Sequence, residues 1–191
     1  MDKPNKFNTI FIILAALSIV LACSGGDQQA EANKIVDQAN KKLDETKDMY
    51  SKVEARNTAL FKEPVRTAAQ LHEYQSKMNS EAKSIVSDYE KVADNLKDIA
   101  KQYDDISRLK VDDKYKEYAK LKSDEYAKRA EAVGVRKGNA QAFMEITDPK
   151  IMMSKFDENN AKSDKLFKDA EDIGTKAKKM EEDNKDLFKK S

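Results

Sequence analysis

Apolar residues recur along most of this chain in alternating steps of four and three. One series runs Ala32, Val36, Ala39, Leu43, Thr46, Tyr50, Val53, Asn57, Leu60, and a stronger one Met78, Ala82, Ile85, Tyr89, Val92, Leu96, Ile99, Tyr103, Ile106. A third passes through Met152, Phe156, Asn159, Ser163, Leu166, Ala170, Ile173, Ala177, Met180, Asn184 and Leu187. A mean step of about 3.5 residues, sustained over several heptads, is the seam of a coiled coil or helical bundle; strands would alternate with period two. Three breaks divide the pattern. Pro64 lacks an amide donor and drives Glu63 out of the helical region, with Thr67 placed to cap the next helix. The phase lapses over Leu109 to Asp113, where Asp112 suits an N-cap, and Asp148-Pro149 is an N-cap followed by proline at the first helical position.

Four helices are therefore expected, at about 30–60, 67–109, 113–147 and 149–188. Short connections favour antiparallel neighbours, so the fold class is all-α: an elongated antiparallel four-helix bundle, coiled-coil-like, in up-down-up-down order. The third helix is the weak member. Its apolar residues (Tyr115, Tyr118, Leu121, Tyr126, Val133, Val135, Phe143, Met144) hold no single clean seam, and it contains Gly134 and Gly138. Each glycine costs about 1 kcal/mol in a helix interior relative to alanine. A frayed or kinked stretch near the bundle's end is the expectation, with a hinge or partner-binding segment as the sharper reading.

Ahead of the bundle the pattern changes. Lys3 and Lys6 precede an almost unbroken apolar run from Ile10 to Ala22, and the chain's one cysteine, Cys23, follows directly on Val20, Leu21 and Ala22. A short basic region, an apolar core and small residues at its end are the parts of a secretory signal. The run is shorter than the roughly 20 residues a membrane span needs. Val20-Leu21-Ala22-Cys23 resembles the lipobox of bacterial lipoproteins, with an aliphatic residue at −3 and a small one at −1. Leu21, at −2, is larger than the family's commonest choices. The resemblance implies cleavage between Ala22 and Cys23 and a diacylglyceryl thioether on Cys23, often with a further acyl chain on its amino group. Two or more chains anchor stably where one binds only marginally. It also implies residues 1–22 as signal peptide, 23–29 as lipidated cysteine and flexible tether, and 30–191 as the bundle. Ser24, where inner-membrane retention would want Asp, favours the outer membrane, at its periplasmic face or the cell surface.

Charge narrows the partners. The chain has 36 Lys and Arg against 35 Asp and Glu, and removing Asp2, Lys3 and Lys6 leaves the two signs equal in number. Interspersed, balanced charge is what solvated helices carry; it argues against a nucleic-acid groove and against a polybasic membrane patch. Acid-before-base pairs four residues apart (Asp37 with Lys41, Asp104 with Arg108, Asp124 with Lys128, Asp164 with Lys168, Asp172 with Lys176) each add about 0.2–0.5 kcal/mol.

Candidate chemistry is sparse. His72 is the sole histidine, expected at the surface early in the second helix. No paired Glu-x-x-His, haem-attachment motif, phosphate loop or hydrolase triad can be assembled, so no enzyme, cofactor or metal is expected. Met144, Met152 and Met153 read as packing at an irregular bundle end before they read as a Cu(I) site. Tyr89 and Tyr103 lie on the seam, where packing with outward hydroxyls suffices; Tyr115, Tyr118 and Tyr126 add to a possible aromatic surface. Asn57, Asn159, Ser163 and Asn184 read as register-setting seam polars or as contacts to another helix.

The expectation is a non-catalytic envelope lipoprotein, held to the bilayer through acylated Cys23 and acting by contact with another envelope protein or with itself. A ligand-sensing periplasmic bundle and a surface adhesin are the alternatives. The adhesin reading is similar in composition alone to lysine-rich spirochaete lipoproteins. A likeness to the murein lipoprotein, which is linked through a terminal lysine, meets Ser191 after Lys189 and Lys190.

Overall fold

A computed structural model describes residues 26–187. Cys23, Ala22, the signal segment and the last four residues lie outside the described residues. Four long helices follow one another: α1 (Gly26–Leu60), α2 (Ala68–Ile106), α3 (Asp113–Glu145) and α4 (Pro149–Asp183), with a final 3₁₀ turn, Lys185–Leu187. Each packs on its sequence neighbour, and the closest packing is that of α3 against α2 and α4. The result is an antiparallel four-helix bundle, and no helix among the described residues is long and apolar enough to cross a membrane.

The punctuation read from the sequence operates locally. Thr67 closes a capping box with Gln70, Asp112 accepts from Lys114 N, and Asp148 accepts from Lys150 N and Ile151 N ahead of Pro149. Helix N-termini need such acceptors because their first amides have no intrahelical partner. Every position of the first seam, Ala32 to Leu60, is buried. So are Ala82 to Ile106 of the second. Residues 26–29, read from the sequence as tether, are helical in the described part of α1.

The third helix overturns its expectation. α3 is one continuous helix through Gly134 and Gly138, and it carries buried residues along its whole length. Its buried series is Tyr115, Tyr118, Lys122, Glu125, Arg129, Ala132, Arg136, Asn139, Phe143. These steps alternate three and four without a lapse. The seam is intact; four of its nine positions are charged, and an apolar search passes over it. The helix runs unbroken to Glu145, without fraying at the glycines, and is packed between two neighbours.

The two ends of the bundle differ. At one end the Gln28 side chain accepts from Lys110 N, and Tyr115 donates to Asn33 Oδ1 at 3.4 Å, tying the α2–α3 connection and the start of α3 to the start of α1. At the other end Phe61 stacks on Phe156 at 4.1 Å between centroids, and Phe143 meets Phe61 and Tyr74 edge-on. At 1.5 Å per residue these ends are about 50 Å apart.

Candidate functional site

The charged seam of α3 builds two buried polar centres. In the first, Lys122 (1% exposed), Glu125 (4%) and Arg129 (6%) share one carboxylate. Lys122 Nζ lies 2.6 Å from Glu125 Oε2, and Arg129 donates from Nε at 2.9 Å and from Nη2 at 2.8 Å to Oε1. Lys122 also sits over the Tyr126 ring, 4.7 Å from its centroid. Gly174 of α4 makes this possible: a Cβ there would stand 2.9 Å from the Glu125 carboxyl. Half-buried Glu181 faces the same ammonium. Burial pushes its carboxyl up, against the pull of Lys122.

The second centre surrounds Arg136, which is 5% exposed. Its guanidinium bonds Asp164 at 2.6 Å, reaches Glu54 at 3.6 Å and donates to Asn160 Oδ1. Tyr89 donates to Glu54 Oε2 at 2.6 Å, and Asn139 Nδ2 donates to the same Asn160 oxygen at 2.8 Å. Burial alone would lower the Arg136 guanidinium; Glu54, Tyr50, Asp164 and Tyr89 around it raise it overall. The guanidinium is thus held charged inside the bundle. Ser163 donates to Ala132 O at 3.0 Å, joining α4 to α3.

Several expectations change here. The Tyr89 and Tyr103 hydroxyls do not point outward: both side chains are buried, and Tyr103 stacks on Tyr126 at 5.7 Å. Tyr103, Tyr118 and Tyr126 form an interior ladder in place of an aromatic surface, and burial raises each phenol far above its usual value. Of the acid–base pairs, Asp104 with Arg108 forms at 3.2 Å. Asp164 instead crosses to Arg136, Asp124 pairs with Lys120, and Lys128 pairs with Glu131. Intrahelical spacing could not show that a cation from another helix outcompetes Lys168. His72 is exposed in the first turns of α2, and Met152 is core while Met153 is 37% exposed. Asn57, Asn159 and Ser163 are buried in the seam, and Asn184 caps α4 while accepting from Lys114.

Chemically, both centres are closed. Glu125, the buried carboxylate of α3, is held by both the Lys122 ammonium and the Arg129 guanidinium. Among the described residues no group of three or more His, Cys, Asp or Glu could hold a metal ion. A groove of about 490 Å³ runs on the surface between α2 and α3, floored by Ala93, Ala127, Ala130 and Gly134 and crossed by the Lys137–Glu90 pair. A scan against protein-family models finds no match, and searches of curated proteins and of solved structures find none either.

Proposed function

We propose that this is a lipid-anchored envelope lipoprotein whose bundle acts by contact, without catalysis. The observation that carries the reading is Cys23 in its lipobox setting, three positions before Gly26 in the sequence. An acylated Cys23 holds the Gln28–Lys110 end of the bundle against the bilayer and projects the Phe61–Phe156 end about 50 Å away. Two exposed large apolar side chains, Ile151 at 60% and Met153 at 37%, lie at that far end. A partner in the envelope, or a second copy, is met there. Ser24 favours the outer membrane as the anchoring leaflet.

Replacement of Cys23 by Ser tests the anchor. The expected outcome is accumulation of uncleaved precursor and loss of partition into the detergent phase of a cloud-point extraction. Unchanged processing and partition would overturn the lipoprotein reading. A photo-crosslinker at position 151 in intact envelopes is expected to capture one discrete partner, whereas one at exposed Lys168, midway along α4, is not.

A further inference from the structure

α1 and α3 run in the same direction, and their facing residues keep one register. Asn33 meets Tyr115, Glu54 meets Arg136 and Phe61 meets Phe143, and in each pair the second number exceeds the first by 82. The same offset puts Asn57 level with Asn139. Both asparagines face the interior, 1% and 0% exposed, and both carboxamide oxygens are buried without a hydrogen-bond partner among the described residues. An unsatisfied buried acceptor costs about 1–3 kcal/mol. Two at one level, on facing seams, can be satisfied together by one donor placed between them.

The surroundings fit a small donor. Arg56 bonds Glu81 and Ser84, so the side chain that α2 brings to this level is that of Ala82, the smallest in its seam. Asn159 adds a third carboxamide, lodged so close to Gly138 that a Cβ there would meet its Nδ2 at 3.0 Å. The Phe61, Phe143 and Phe156 rings close the layer on one side, and the Arg136 centre closes it on the other. Asn139 Nδ2 and Arg136 Nη1 are directed to Asn160 Oδ1, and among the described residues no donor reaches either orphan oxygen. We infer that Asn57 and Asn139 bind one internal water between them, which donates a hydrogen bond to each oxygen and fixes the α1–α3 register. A buried water makes 2–4 bonds and needs only roughly 10–15 Å³. A polar layer of this kind also penalises a one-heptad slip of α1, which would leave the carboxamides against apolar side chains.

The test uses the full chain in detergent and water itself as the probe. Oxygen-17 relaxation dispersion is expected to report a long-lived internal water. Its amplitude should fall by one water in Asn57→Leu, in Asn139→Leu and in the double variant, with the melting temperature of the double variant above that of either single. A wild-type crystal structure resolving ordered solvent is expected to show one water between the two oxygens, and it decides the matter even where a variant fails to fold. Equal dispersion amplitude in wild type and double variant, or a structure in which both oxygens accept from protein donors, would overturn the inference.

Discussion

Glu125→Gln isolates what the buried triad of α3 contributes. The substitution keeps the shape of the side chain and removes its charge. It leaves Lys122, 1% exposed, and Arg129, 6% exposed, as two cations around a neutral amide. Removing one partner of a buried ion pair typically costs about 3–5 kcal/mol, because the remaining charge stays desolvated. Two effects pull towards the low end. The Gln oxygen still accepts one bond, and half-buried Glu181 also faces Lys122. The expected loss is about 3 kcal/mol, which for a domain of this size is roughly 6–12 °C in melting temperature. Urea titration followed by far-ultraviolet circular dichroism measures it, with an unchanged slope as the sign that the unfolded state is unaffected. A companion variant, Lys122→Met with Glu125→Leu and Arg129→Met, is expected to be neutral or up to about 4 kcal/mol more stable, since an apolar layer carries no desolvation cost. A loss below about 1 kcal/mol for Glu125→Gln, or a companion as unstable as the single variant, would refute the reasoning: the charges would then be hydrated.

The glycines carry predictions of opposite sign. Nothing lies within 4 Å of a Cβ at Gly134, so Gly134→Ala should gain about 0.5–1 kcal/mol from helix propensity. Gly174→Ala drives a Cβ to 2.9 Å from the Glu125 carboxyl and should cost about 1–3 kcal/mol, read from the same urea midpoints. A destabilising Gly134→Ala would restore the hinge. A pH dependence is expected at Asp88. Partial burial pushes its carboxyl up, but bonds from Arg56 and Lys91 outweigh that and hold it below its ordinary 3.8. A lowered carboxyl contributes stability above its unfolded value and loses it as pH falls through the folded one. Asp88→Asn should therefore cost about 0.2–1 kcal/mol at pH 7 and nothing once the pH is below that lowered value. Two stability curves that stay parallel down to pH 2 would contradict this.

The helices, their order and their caps were legible because each rests on local chemistry: a proline, an Asp or Thr at an N-cap, an apolar heptad. The polar centres were not. Lys122, Glu125, Arg129 and Arg136 occupy seam positions as regularly as any Leu or Val, but charge at such a position is ordinarily solvent-facing. Only the partners reveal that it is buried: Glu54 from α1, Asp164 from α4, and Gly174, whose missing side chain makes room. None of these is near α3 in sequence. Asp164 shows the converse, a local pairing with Lys168 that lost to a cation 28 residues away.

The tie between Gln28 and Lys110 also bears on how the bundle carries load. A pull at the N-terminal end of α1 acts along that helix, parallel to its neighbours. Its packing against α2 is then strained in shear along the whole length, instead of being peeled one turn at a time. The start of α1 is fastened at two points, Gln28 to the α2–α3 connection and Asn33 to Tyr115 of α3, so it does not lift away alone. Forced opening is governed by the unfolding rate rather than by equilibrium stability. A pull on the N-terminal end of α1 is thus met by three helices together rather than by one.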